Sequence, residues 1–310
     1  MSFPRTVRIY EVGPRDGLQN EAEPIPTESK LRYIQLLRKA GLREIEATSF
    51  VSPRAIPQLA DADDLMALVA KLPRDGVRYP VLVPNTRGMA RAEDAQAHAL
   101  AVFTAASDEF TKRNIGMTID ESLDGFAPVL KRAQELRWWR RAYVSTAFGC
   151  PFTGAVAVEK VVDVSKRLID LGAEEICLGD TIGVGVPSQV HELTEAHVRA
   201  GIGLDRLAYH FHDTRGTALA NVLAGLEDGV SCFDSSTGGT GGCPYAPGAA
   251  GNLATEDLVY LLDGLGINHG ANLAGVLDAA RFIAGALGKT LSSKVGQAGG
   301  WDSTTGQRLI

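Results

Sequence analysis

The sequence predicts an α/β chain folded as one (β/α)8 TIM barrel with extra C-terminal helices. Three observations predict it. Short apolar runs alternate with amphipathic stretches from end to end, the runs number eight, and polar clusters recur just after the runs. No Pro/Ser-rich linker or compositional shift divides the chain. A single catalytic domain over 1–310 is expected, with the barrel over roughly 7–266 and a helical extension over roughly 271–297.

The strand-like runs are Val7 to Gly13, Glu44 to Phe50, Tyr79 to Val83, Leu100 to Ala105, Ala142 to Phe148, Glu175 to Leu178, Leu207 to Phe211 and Val230 to Asp234. Each is short and apolar, as a strand covered by helices must be. Between them lie helical patterns at Ser29 to Ala40, Asp63 to Lys71, Asp120 to Leu136, Val158 to Leu171, Ser188 to Ala200 and Ala218 to Glu227. A further helix, Asn272 to Leu287, follows the eighth unit.

Composition excludes several classes. A formal net charge of -6 carries no basic footprint for nucleic acid, and no apolar run is long enough to span a membrane. The start of the chain lacks the apolar core of a secretory signal. Cys150, Cys177, Cys232 and Cys243 are scattered, unlike a disulfide framework or a zinc site, so a cytoplasmic home is expected.

The chemistry concentrates at strand ends. His210 and His212 lie two apart on the seventh run, so both imidazoles point to one face and can grip one ion. Arg15 and Asp16 follow the first run, Glu46 lies in the second, Asp180 follows the sixth, and a glycine-rich loop from Gly238 to Asn252 follows the eighth. All fall at the C-terminal face, where barrel active sites are built, and strands seven, eight, one and two are neighbours once the barrel closes. Asp16, His210, His212 and Asn252 would supply a carboxylate oxygen, two imidazole nitrogens and an amide oxygen. That hard, mixed set suits Mg²⁺ or Mn²⁺ better than structural zinc.

Blander readings accompany each part. The two histidines alone could be satisfied core residues, and Arg15 could be a barrel-end salt bridge to Glu46. A guanidinium beside a metal can also hold an oxygen on which negative charge develops, and both roles can coexist. Cys243 lies in a loop whose glycines let it fold over a ligand, where a thiol can transfer a proton; the alternative is an inert thiol. The stretch Gly285 to Thr290 imitates the tail of a phosphate-binding loop, but Ile283 stands where glycine is needed and a helix precedes it. Trp138 and Trp139 read as packing under a loop.

The run Glu11 to Glu21, the segment Ile45 to Pro53 and the Gly-Gly-Cys-Pro-Tyr loop at Cys243 together resemble the 3-hydroxy-3-methylglutaryl-CoA lyase family of DRE-TIM metallolyases, from about Val7 to Gln297. The resemblance implies a carbon–carbon lyase of leucine degradation that cleaves an acyl-CoA to acetyl-CoA and acetoacetate. It implies a divalent cation on Asp16, His210, His212 and Asn252, enolate stabilisation by Arg15 and proton transfer by Cys243. Glu46 and Asp180 match residues used around the metal and the reacting oxygens, and either Asp180 or a metal-bound water takes the hydroxyl proton. A homodimer is implied as well. Ala22 stands where the animal enzymes carry lysine, Ser236 to Thr240 replaces a more apolar segment, and no cysteine follows Lys294 for a thiol switch. These departures bear on the acyl chain, so citramalyl-CoA or a longer branched 3-hydroxyglutaryl-CoA is the rival substrate. Claisen condensation would call for an extra regulatory domain. A purely binding barrel would require the metal ligands to be lost.

Overall fold

Nine short parallel strands carry the fold, and two of them are halves of one. The computed structural model describes residues 3–242, 251–302 and 307–309. The strands are β1 (Arg8–Glu11), β2 (Glu44–Ile45), β3 (Thr48–Ser49), β4 (Val81–Leu82), β5 (Ala99–Ala105), β6 (Trp139–Ser145), β7 (Glu175–Asp180), β8 (Leu207–Phe211) and β9 (Cys232–Ser235). Their order is β2-β1-β9-β8-β7-β6-β5-β4-β3. Between β2 and β3, Glu46 N donates to Glu11 O at 2.8 Å and Ala47 N to Pro80 O at 2.9 Å. The two ends of the sheet are therefore one chain segment bonded on both sides. The sheet closes into an eight-stranded barrel.

Helices α1 (Thr27–Lys39), α2 (Ala62–Val69), α3 (Thr86–Asp94), α4 (Asp108–Ile115), α5 (Ile119–Glu135), α6 (Val158–Asp170), α7 (Pro187–Arg199), α8 (Ala218–Glu227) and α9 (Thr255–Gly264) alternate with the strands, and α10 (Leu273–Leu287) and α11 (Lys294–Ala298) extend the C-terminal end. Outward strand residues such as Ile45, Val81, Val102, Val144, Leu178 and Phe233 are buried in one core with Leu37, Leu65, Val129, Val164 and Val222 of the helices. The extension begins at Asn272, whose side chain accepts from Gly275 N and caps α10.

Two expectations shift. The fifth barrel strand is Trp139–Ser145 rather than Ala142 to Phe148, because Arg140 and Arg141 lie inside it. The expected run begins just after these two arginines, yet Arg141 is fully buried inside the barrel. Its Nε is 3.0 Å from Glu175 Oε1 and its Nη2 is 2.6 Å from Asp234 Oδ1, with the guanidinium 3.8 Å from the centre of the Tyr10 ring. Trp138 is buried in the core, while Trp139 opens the strand and packs its ring 4.1 Å from the Arg78 guanidinium. The second strand, expected unbroken from Glu44 to Phe50, is interrupted at Glu46-Ala47.

Helix α9 turns two carboxylates inward at its first turn. Asp257 accepts from Lys294 N at 3.0 Å and Val295 N at 2.7 Å, fastening α11. Glu256 accepts from Gly238 N at 2.9 Å, and burial pushes its carboxyl up to about 7. A raised carboxyl means the folded state binds the proton more tightly, so folding loses stability as pH rises from the ordinary glutamate range to about 7.

Replacing Glu256 by Gln should therefore stabilise the protein more at pH 8 than at pH 4.5, by about 3 kcal/mol, read from urea midpoints. Arg141→Leu should cost about 3 to 5 kcal/mol in the same assay, because Glu175 and Asp234 lose their buried counter-charge.

Candidate active site

The mouth of the barrel is organised by a tight turn after β1. Residues Gly13–Gly17 form one π-helical turn in which Arg15, Asp16 and Gly17 all donate backbone N–H groups to Val12 O. A Cβ on Gly13 would collide with the Tyr33 hydroxyl and the Glu11 carboxylate, so the turn needs glycine there. Glu11 anchors the turn from below. Its buried carboxylate accepts from Gly13 N at 2.8 Å, Thr237 N at 2.9 Å, and the Thr237 and Thr255 hydroxyls at 2.7 Å each. One carboxylate thus ties the first turn to the loop after β9 and to α9.

Asp16, His210 and His212 converge, with ligand atoms all within 4.8 Å of one another. The two Nε2 atoms of the histidines are 3.2 Å apart. His210 Nδ1 faces Asp234 Oδ2 at 3.1 Å, which orients the ring and leaves Nε2 for the cluster. Burial pulls the His210 imidazole down, but the hydrogen bond and charge of Asp234, with Asp16 behind, carry it above its usual value. Burial, with His210 next, holds His212 down to about 4, so its ring keeps a free lone pair at neutral pH. Asp16 lies at about 2: burial opposes ionisation, and Arg15 with the two histidines overrides it.

Asn252 joins this cluster through the backbone. It forms a bridge to His212, flanked by Asp213 N to Gly251 O at 3.1 Å and Leu253 N to Phe211 O at 3.0 Å. Its Nδ2 donates to Asp16 Oδ2 at 2.8 Å and Thr240 O at 3.0 Å, while its Oδ1 is buried with no hydrogen-bond partner among the described residues. An orphaned amide oxygen beside a carboxylate and two imidazole nitrogens fits a divalent cation.

Arg15 is buried beside this cluster. Its Nε and Nη2 meet Glu46 Oε2 at 3.0 and 2.9 Å, and its Nη1 meets Asp16 Oδ1 at 2.6 Å. Tyr143 also donates to Glu46 Oε2, at 3.0 Å. Burial raises the Glu46 carboxyl against the pull of Arg15. The expected Arg15–Glu46 ion pair is present, and the guanidinium still lines the cleft.

Asp180 ends the sixth barrel strand, as expected, with its carboxylate held by backbone. Residues Glu175, Cys177 and Gly179 face the barrel interior, so Asp180 faces out. Both of its oxygens accept backbone N–H groups, from Val184 and Gly185 at 2.9 Å each. It shapes the loop after β7 and does not line the cleft. Cys243 lies outside the described residues. Two residues were missed: Glu11, inside the strand, and Asp234, whose signal was a lone charge in the apolar run Val230 to Asp234.

Above the cluster opens a cavity of about 530 Å³. Arg15, Asp16, His210 and His212 form its polar floor, and Phe103, Phe110, Ile115, Met117 and Phe126 contribute apolar wall. That volume and lining suit a small acid joined to a longer, partly apolar chain.

Comparison with known proteins agrees with this geometry. The mitochondrial hydroxymethylglutaryl-CoA lyase of Bos taurus is 51% identical over 297 residues, 96% of this chain and 90% of that protein. The cytoplasmic 3-hydroxy-3-methylglutaryl-CoA lyase of Homo sapiens is 50% identical over 96% of this chain and 79% of its own length. The crystal structure of hydroxymethylglutaryl-CoA lyase from Pseudomonas aeruginosa superposes with a TM-score of 0.93 at 45% identity, covering 96% of this chain and 98% of that one. An HMG-CoA lyase from Acinetobacter baumannii, in complex with coenzyme A and 3-methylmalate, superposes with a TM-score of 0.91 at 37% identity, covering 100% of this chain and 99% of that one. The family model described as HMGL-like matches residues 6–283. With nine-tenths of its length matched and the barrel-mouth cluster in place, the chain belongs to the HMGL-like family.

Proposed function

We propose that this chain cleaves 3-hydroxy-3-methylglutaryl-CoA to acetyl-CoA and acetoacetate by a metal-dependent retro-Claisen reaction, with 1–310 acting as one catalytic unit. The observation that carries it is the Asp16–His210–His212 cluster with Arg15 on its edge, in a chain half identical to lyases of that name. The complex of a relative with coenzyme A and 3-methylmalate supports an acyl-CoA occupant for the cleft. Three described cysteines, Cys150, Cys177 and Cys232, are free, which suits a reducing compartment such as the cytoplasm.

Asp16, His210, His212 and Asn252 would hold Mg²⁺ or Mn²⁺. When bound, such a cation supplies Lewis-acid polarisation of the substrate's oxygens. The protein does the rest by positioning charge. Transfer of the C3 hydroxyl proton to a cleft water acting as base lets that oxygen's electron pair form the ketone of acetoacetate as the C2–C3 bond breaks. The electrons of that bond become the enolate of acetyl-CoA. Arg15, braced by Glu46 and Asp16 and so fixed before substrate arrives, stabilises the enolate oxygen. Cys243 returns a proton to C2. Glu46 and Asp180 are positioning residues: the first holds the guanidinium, the second holds the Val184-Gly185 turn. Asp234 positions His210.

The test is acetyl-CoA release from 3-hydroxy-3-methylglutaryl-CoA with added Mg²⁺ or Mn²⁺. Arg15→Gln should lower kcat about 10² to 10³-fold with metal binding retained. Turnover of citramalyl-CoA with none of 3-hydroxy-3-methylglutaryl-CoA would assign the rival substrate. Asp234→Asn should weaken metal affinity by about 10 to 100-fold in a calorimetric titration, because His210 exchanges a carboxylate for a neutral amide that can donate to Nδ1 and no longer fixes its tautomer.

A further inference from the structure

The opposite end of the barrel holds a second cavity, of about 470 Å³, at the N-terminal ends of the strands. Arg8, Arg43, Arg74, Arg78 and His98 line it, with Glu44 as its lining carboxylate. The charges there do not balance. Glu44 is consumed, with Oε2 2.9 Å from Arg8 Nη1 and Oε1 2.7 Å from Arg78 Nη1. Arg8 pairs further with the buried Glu175, which also serves Arg141. Arg43 and Arg74 remain. Arg43 donates from Nη1 only to the backbone carbonyl of Asp75, at 3.3 Å, because the Asp75 carboxylate pairs with Arg38 at 2.8 Å. The Arg74 guanidinium makes no hydrogen bond or ion pair to a described residue, and both arginines are exposed.

We propose that this N-terminal mouth is a binding site for a multivalent anion bearing phosphate or carboxylate groups, with Arg43 and Arg74 as its principal ligands. Guanidinium forks match both oxyanions bidentately, and two unmatched forks around one concavity favour an anion with more than one charged group. His98 registers the same surplus. Burial, then Arg74 and Arg78, hold its imidazole down to about 4. The site lies at the barrel face that does not carry the metal-ligand cluster, so it stands apart from the lyase reading.

The test is isothermal calorimetry of the full chain with pyrophosphate and with citrate, at low ionic strength. The variants are Arg43→Gln/Arg74→Gln and, separately, Arg15→Gln. The expected result is saturable one-to-one binding that the double variant weakens by about tenfold or more, and that Arg15→Gln leaves unchanged. In the wild type, the saturating anion should also raise the His98 titration midpoint observed by NMR, since it neutralises the field of Arg74 and Arg78. Binding of only one of the two anions supports the site and names its ligand chemistry. Absence of saturable binding by both, equal affinity in the double variant, or loss of binding in Arg15→Gln alone would each overturn it.

Discussion

The ion pair between Arg141 and Asp234 is the interaction on which the rest of the barrel interior depends. Asp234 has two oxygens and spends one on Arg141 and the other on His210 Nδ1. Without Arg141 the carboxylate would face burial with a weaker partner, and its orientation toward His210 would be lost. Burial opposes ionisation of Asp234, but Arg141 and His210 together outweigh it and hold the carboxyl below its usual range. A contact in the middle of the barrel thus decides which nitrogen of a histidine faces the mouth.

The interior is consequently a column of charge rather than the usual stack of branched apolar side chains. Arg8, Glu44 and Glu175 occupy the lower level, Arg141 and Asp234 the middle, and Arg15, Asp16, Glu46 and the two histidines the upper. Each buried charge meets an opposite one, and Tyr10 and Tyr143 fill the gaps with their rings against Arg141. Such a core gains little over an apolar one in stability. What it provides is position: side chains locked by directional bonds cannot drift along a greasy surface.

The convergence of Asp16, His210 and His212 was legible because its signals are local. A His-x-His needs only strand periodicity, and Arg15-Asp16 needs only its place after an apolar run. The Asn272 cap and the helix behind it were legible for the same reason. Strand five was misplaced by its two arginines, since burial of Arg141 depends on Glu175 and Asp234, which no window around it contains. Glu11 escaped because its partners Thr237 and Thr255 are more than two hundred residues distant. Asp180 stands at the end of the sixth barrel strand as expected, and alternation from Glu175 through Gly179 turns its side chain outward.

The closure of the barrel places its first and last strands side by side, with β1 seated between β9 and β2. Asn252, to which Asp16 is bonded, lies 236 residues further along the chain. A nascent chain therefore carries Asp16 without Asn252, and β1 without β9 on one side, until the intervening stretch has been made. Assembly of the Asp16–His210–His212–Asn252 cluster and the final strand pairing arrive together. The assembled mouth serves as a certificate that the barrel from β1 through Asn252 has been made and threaded in order.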